Sequence, residues 1–313
     1  MTSIPWIDRD TMTRVLPWEQ VVDALESALI SGAAPGNTPP RTFVPVSSGE
    51  LLLMPGEVGP AVGVKVLAIN DHAARFEVPR IQGVHIAFAG DTLSPTAILD
   101  AEQLTLLRTA GLSALAVRHL APPAAASLLV FGTGPQAVSH ALAIHAVRPL
   151  ESVTVVGRRQ PAMHEVVRQL ETAGLDARAG VAADVARVDI VACCTTAAEP
   201  VFDASLLRPE ATVVAIGSHS PDRREVETQL VERATVIVES TAAALSQAGD
   251  IILALRDGVP QDVAIAGDLQ ALVTGAVTIV PGAPRLFKSV GEAWSDVVVA
   301  ATVVEAALLL APT

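Results

Sequence analysis

Tyrosine is absent from the 313 residues, and aromatic residues make up only 3% of them. No phenol can act as an acid here, so any proton transfer falls to His, Asp, Glu or Lys. Cysteine occurs only at the adjacent positions Cys193 and Cys194. That excludes a disulfide scaffold and is read as a protein of a reducing, cytoplasmic compartment. Charged residues are 17% of the chain, against roughly 25% in typical soluble domains, and half of the residues are hydrophobic. The net charge of −12 excludes nucleic-acid binding through a clustered Lys/Arg surface. Long apolar runs are missing too. The longest, residues 297–310, is interrupted by Glu305 and falls short of the ~20 residues a membrane span needs. The opening Met-Thr-Ser-Ile-Pro-Trp-Ile-Asp lacks the basic and apolar regions of a signal peptide. No Cys/His spacing suggests zinc, so no metal is expected.

Lysine is nearly absent as well: of 21 basic residues only Lys65 and Lys288 are lysines, and the other 19 are arginines. Nucleotide bias in the coding genome explains most of this. A chain that uses Arg by default nevertheless keeps Lys where a titratable amine is needed, because guanidinium stays protonated.

The length suggests two domains. Residues 16–30 have helical spacing of apolar positions and stop at Gly32, and Gly and Pro then punctuate strand-like runs at 42–44, 50–54, 61–69 and 82–89. Residues 102–120 read as a long amphipathic helix. From Ala126 the pattern alternates. Strands at 127–131, 152–156, 189–195, 212–216 and 235–239, with helices at 136–147 and 161–173, predict right-handed crossovers and a parallel sheet. The alternation ends near 285, and residues 293–310 read as one helix returning to the first domain. The fold class is therefore α/β. A Rossmann-type doubly wound parallel sheet over 121–292 accompanies an α+β substrate and dimerisation domain built from 1–120 and 293–313.

One motif carries chemistry on its own. Gly132-Thr133-Gly134-Pro135-Gln136-Ala137 follows a strand, opens a helix and precedes a second strand at Ser152. The first Gly permits a tight turn, the second lets the backbone approach a pyrophosphate, and the small Ala137 allows close packing of helix on strand. This is the required setting for a nicotinamide dinucleotide. The second strand ends in Gly157-Arg158-Arg159, where an acid would mark NAD and an arginine suits the 2′-phosphate of NADP. NADP is therefore favoured over NAD, although an exposed Arg pair at a strand end can also be merely solvated.

The chain resembles the ornithine cyclodeaminase/mu-crystallin family. The resemblance rests on Leu53-Met54-Pro55, Gly63-Val64-Lys65-Val66, Ile81-Gln82-Gly83, Leu107-Arg108-Thr109-Ala110, the Gly132 loop, Ala215-Ile216-Gly217, Ala248-Gly249-Asp250 and Lys288-Ser289-Val290-Gly291. It implies homodimers that handle amino acids, imino acids or cyclic ketimines with a nicotinamide cofactor. Position by position it makes Arg41, Lys65 and Arg108 the residues that hold a substrate carboxylate. That assignment suits the bidentate grip of guanidinium and the cost of an unpaired cation in an apolar run. Thr195 and Gly217 match cofactor-facing positions. Ser289, Val290 and Gly291 either approach the nicotinamide or form a simple turn between domains.

Two departures bear on the substrate. Where ornithine cyclodeaminases carry an acid two positions before Met-Pro, this chain has Leu52. Where they carry an Asp after the fifth strand, it has His219, within Gly217-Ser218-His219-Ser220-Pro221. Ornithine is thus a poor fit, and the substrate contacts near Leu52 should be apolar. His219 either shuttles protons beside the nicotinamide or is a polar surface residue, while His85 lies in a strand of the substrate domain and could reach the pocket. The reading that results is an oxidoreductase that reduces an imine or ketimine of a 2-oxo acid, or oxidises the corresponding amino acid, with Lys65 or His219 supplying the proton in the reduction. The alternatives are an ammonia-releasing cyclodeaminase and a ligand-binding protein of mu-crystallin type.

Overall fold

In the computed structural model, which describes residues 4–309, the chain divides into two compact units. Unit 1 comprises residues 1–108 and 292–313, and unit 2 comprises 109–291. Unit 1 opens with β1 (Trp6–Ile7), α1 (Arg9–Val15) and α2 (Trp18–Ile30). It continues through β2 (Thr42–Val46), β3 (Gly49–Val58), β4 (Ala61–Asn70), β5 (Ile81–Ala89) and β6 (Pro95–Asp100). The next helix, α3 (Ala101–Leu120), contains the division between Arg108 and Thr109.

Unit 2 runs β7 (Ser127–Phe131), α4 (Pro135–Val147), β8 (Ser152–Val156), α5 (Gln160–Thr172), β9 (Ala177–Ala179), β10 (Ile190–Cys193) and β11 (Thr212–Ala215). After α6 (Thr228–Arg233) come β12 (Thr235–Val238), α7 (Thr241–Gln247), α8 (Gly249–Arg256) and α9 (Gln261–Ala264). The unit ends with β13 (Gly267–Asp268), α10 (Leu269–Val273) and β14 (Arg285–Lys288). The last helix, α11 (Ala293–Leu309), belongs to unit 1, and Leu310 of the expected helix lies outside the described residues. Among the described residues no helix is long and apolar enough to cross a membrane.

The sheet of unit 1 has the order β1-β6-β5-β4-β3-β2, antiparallel throughout except at β1–β6. Along β4, Gly63, Lys65 and Leu67 point to the buried face at the period-2 spacing of a strand. Register sets Met54, Lys65, His85 and Leu99 side by side across β3, β4, β5 and β6. The helix α11 packs on β3, β4 and β5.

The sheet of unit 2 is parallel, in the order β13-β12-β14-β11-β10-β7-β8-β9. Its strands β10, β11, β12 and β14 are buried end to end, as parallel strands covered on both faces must be. The chain leaves β7 toward β8 and β9, then returns to lay β10 on the other side of β7. That reversal makes the carboxyl ends of β7 and β10 a topological switch point, where open α/β sheets bind ligands.

Three local differences from the sequence pattern have physical causes. The first long helix begins at Trp18 rather than residue 16, because Pro17 fits the extended N-cap position and not a helix interior. β6 starts on Pro95, which masks a strand in the sequence, yet pairs regularly from Ala97 onward. The strand series does not end near 285. Arg285-Leu286-Phe287-Lys288 forms β14 at the middle of the sheet, between β11 and β12. Its charged ends look like a surface turn in the sequence but are buried and paired, Arg285 with Glu210 and with the carbonyl of Leu120.

The glycines at the switch point differ in what they require. Gly132 has φ +125°, and a Cβ there would lie 2.4 Å from the Cys194 carbonyl oxygen. Gly134, the N-cap of α4, has φ −91°, and a Cβ would meet nothing within 4 Å. Gly132→Ala should therefore lower stability by about 1–3 kcal/mol, the usual cost of a forced backbone outlier. Gly134→Ala should stay within roughly 1 kcal/mol of the unmodified protein. Thermal melts of the two variants check this, and equal losses would contradict it.

Candidate active site

On the buried face of the unit 1 sheet, three basic residues and one carboxylate come together. The Lys65 ammonium, fully buried, lies 2.7 Å from Oδ1 of Asp296 on α11 and donates to Oγ1 of Thr105 on α3 at 3.3 Å. One turn further along α3, Nε of Arg108 lies 3.2 Å from the same Asp296 oxygen. Arg41, half-buried ahead of β2, is near enough for its charge to act on Lys65. Next to Lys65 on β5 is His85, 1% exposed. Its ring occupies the space over Gly63, where a Cβ would lie 2.4 Å from Nε2. That contact gives the Gly63-Val64-Lys65 spacing a steric reason.

The electrostatics follow from burial and neighbours. Burial pushes Lys65 down to about 8, against the pull of Asp296, and Arg108 and Arg41 lower it further. Burial alone would raise Asp296, but Lys65 and Arg108 outweigh it and hold this carboxyl below its ordinary value. His85 is pushed down to about 4 by burial, so its imidazole is neutral at physiological pH. Lys65 and Arg108 thus share the Asp296 carboxylate, and the charge of Arg41 reaches the same cluster. Among the described residues, Oδ2 of Asp296 and both ring nitrogens of His85 are buried without a hydrogen-bond partner. Such orphaned polar atoms are uncommon in folded proteins and call for an explanation.

Leu52, on the same face, packs with Met54, Leu67, Ala101 and Ala293 in an apolar cluster. Asp296 and Thr105 were not singled out by sequence reasoning. The usable signal was an isolated acid in the first turn of an otherwise apolar helix, which is as costly as an isolated cation unless it is paired.

In unit 2, a cavity of about 570 Å³ opens at the carboxyl ends of β7 and β10. Gly132, Thr133, Gly134, Arg158 and Thr195 line it, together with Gly157 and Cys194. Gly134 leaves room for a ligand at the N-terminus of α4. Pro135, Gln136 and Ala137 form the first turn of α4 off the cavity wall. Ala137 is fully buried, and the Gln136 carbonyl accepts the His140 Nδ1 proton at 2.8 Å. Arg159 is exposed at the N-cap of α5 and does not line the cavity. Gly217 and Val290 also lie off it, Gly217 donating its N–H to Glu225 and Val290 packing on the unit 2 core. His219 is exposed in its turn, with Nδ1 3.4 Å from the Gly217 oxygen. Among the described residues no group of His, Cys, Asp and Glu side chains converges as metal ligands would.

The ornithine cyclodeaminase/mu-crystallin family description matches residues 9–309. The chain belongs to that family. It is 31% identical over 283 residues to a Delta(1)-pyrroline-2-carboxylate reductase of Bacillus cereus, covering 87% of this chain and 86% of that protein. It is 30% identical over 268 residues to the ketimine reductase mu-crystallin of Rattus norvegicus, covering 84% and 82%. A solved structure of Thermococcus litoralis Delta(1)-pyrroline-2-carboxylate reductase in complex with NADH and L-proline superposes with a TM-score of 0.90. That match has 25% identity and covers 98% of each chain. In this family member, the Lys65–Asp296–Arg108 cluster is held by mutual charge. Asp296→Asn keeps the side-chain shape but leaves two buried cations without their counter-charge, and should destabilise by about 3–5 kcal/mol. Urea unfolding measures it, and a loss below about 1 kcal/mol would mean the pair behaves as an exposed one.

Proposed function

We propose that this protein is an NAD(P)-dependent oxidoreductase that reduces an imine or ketimine derived from a 2-oxo acid, or runs the reverse amino-acid oxidation. The observation that carries this reading is the convergence of Lys65 and Arg108 on Asp296, with the charge of Arg41 acting on the same cluster. Guanidinium groups at Arg41 and Arg108 with the Lys65 ammonium beside them suit a substrate carboxylate, which guanidinium can grip with two parallel hydrogen bonds. Arg41 is the most accessible of the three, Arg108 is 7% exposed, and Lys65 lies behind at 0%. A substrate carboxylate would meet the two guanidiniums first, with Lys65 as the proton source behind them.

The unit 2 cavity suits the cofactor. Gly132, Thr133, Gly134 and Thr195 would hold it, with Arg158 as a partner for a 2′-phosphate that favours NADP. When bound, the nicotinamide supplies the hydride to the imine carbon. The nitrogen then needs a proton, and Lys65 is the group built to give one. An ammonium pushed down to about 8 is protonated at neutral pH yet releases its proton readily. Arg108 remains charged throughout, so Asp296 keeps a partner in either state of Lys65. His219, exposed in unit 2, is the second candidate donor.

The apolar setting of Leu52 disfavours the cyclodeaminase alternative, because a buried δ-ammonium there would have no counter-charge. The purely ligand-binding alternative predicts binding without turnover. The outer face of the unit 1 sheet is apolar and half-buried at Leu53, Val64, Val66, Val84, Ile86 and Phe88, and it suits pairing with a second copy of the chain. A single-chain mass by light scattering would count against the dimer. The two free cysteines fit a cytoplasmic location.

Spectrophotometric assay of NADPH and NADH oxidation with Delta(1)-pyrroline-2-carboxylate, and with pyruvate or glyoxylate plus amines, tests the proposal. Turnover is expected, faster with NADPH. Arg158→Ala should erase that preference by weakening NADPH roughly ten- to a hundredfold. Proline and ammonia released from ornithine, without imine reduction, would replace the reading by the cyclodeaminase. Within the active enzyme, reduction should decline as pH rises through about 8, as Lys65 loses its proton. Lys65→Arg should abolish that limb and lower kcat by ~10²–10⁴ while KM changes within about tenfold. A near-normal kcat in Lys65→Arg would make Lys65 an electrostatic anchor only.

A further inference from the structure

The second lysine of the chain takes no part in the unit 1 cluster. Lys288 ends β14 with its side chain fully buried, its ammonium 2.7 Å from Oδ2 of Asp250 and donating to the Ser218 carbonyl at 2.7 Å. The other oxygen of Asp250 accepts the backbone N–H groups of Glu225 and Val226 at 2.6 and 3.0 Å. Glu225, thus fixed, is fully buried and places its carboxylate between two loops. Oε1 accepts from the backbone N–H and the hydroxyl of Thr195, at 2.8 and 2.7 Å. Oε2 accepts from the backbone N–H of Gly217 at 2.7 Å. No side chain fits at Gly217, since a Cβ would lie 1.8 Å from the Thr195 oxygen and 2.6 Å from Oε1 of Glu225. The Thr195 loop follows β10, and Cys194, Thr195, Thr196 and Ala197 form part of the cavity wall.

We propose that Glu225 is a positioning residue of the dinucleotide site, tying the loop after β10 to the loop after β11 and so setting one wall of the cavity. The inference rests on the cofactor reading of that cavity. Three donors converge on one buried carboxylate, and hydrogen bonds to a charged acceptor hold geometry more firmly than neutral ones. The Lys288–Asp250 pair acts one step further back, fixing the backbone from which Glu225 projects.

Glu225→Gln keeps the shape but turns one acceptor into a donor facing another donor. NADPH affinity of the full chain, read by fluorescence titration, should fall roughly tenfold or more. Hydrogen exchange should quicken at residues 194–197 and at Gly217 while the β7 and β8 amides keep their protection. An unchanged NADPH affinity in Glu225→Gln overturns the proposal, and so does exchange that quickens throughout unit 2, the mark of a purely structural residue. Unmodified protein that binds neither NADPH nor NADH would instead overturn the cofactor reading itself. If Glu225→Gln does not fold, Thr195→Val removes two hydrogen bonds of a half-buried hydroxyl, the one it donates to Glu225 and the one it accepts from the Ala197 N–H. Its NADPH affinity should fall about threefold and recover in Thr195→Ser, and equal affinity in Thr195→Val overturns the proposal.

Discussion

Everything in unit 1 is arranged around one buried carboxylate that serves two cations. Taking Lys65 and Asp296 out of water costs several kcal/mol for each ion, and only close pairing recovers it. The pairing is supplied by three elements distant in sequence: β4 brings the ammonium, α11 the carboxylate and α3 both Arg108 and Thr105. Because Arg108 cannot release its proton, Asp296 is compensated whether Lys65 is charged or neutral. On the proposed function, that asymmetry is what would let a structural ion pair cycle a proton. Arg in place of Lys65 would balance the charge equally well and could not titrate.

The scarcity of lysine takes on meaning at this level. Both lysines are fully buried, and each meets a carboxylate at 2.7 Å, Lys65 with Asp296 and Lys288 with Asp250. The arginines include exposed, solvated side chains such as Arg159. A compact ammonium on a flexible stem fits an enclosed space where a planar five-donor guanidinium would leave donors unmet. The two pairs differ in use. In unit 1 the ammonium shares its carboxylate with Arg108, whereas in unit 2 it also donates to a carbonyl and its partner is tied to backbone N–H groups.

Much of this was legible in the sequence, and the unread parts share a cause. The Gly132 loop, the strands at 127–131 and 152–156 and the basic residues Arg108 and Lys65 stand out because each is an exception to its surroundings. The strand at 285–288 and the residues Asp296 and Glu225 did not stand out, and Asp250 entered only as part of a family motif, because their partners lie tens to hundreds of residues away. An acid in an apolar run announces that a partner exists without naming it. Which side chain faces the cavity was not legible either: Arg158 and Arg159 are exposed neighbours of one type, and only Arg158 lines the cavity.

The central claim is that Lys65 titrates within reach of neutral pH because of where it is buried and what it faces. Two lysines make this directly observable. Protein labelled with ¹³C at the lysine ε carbon gives two side-chain signals, and Lys65→Arg removes one and so assigns it. The account predicts that the Lys65 signal shifts with a midpoint at about 8, well below the ordinary 10.5 of lysine. A Lys65 signal that stays in its charged position up to pH 10 would contradict it.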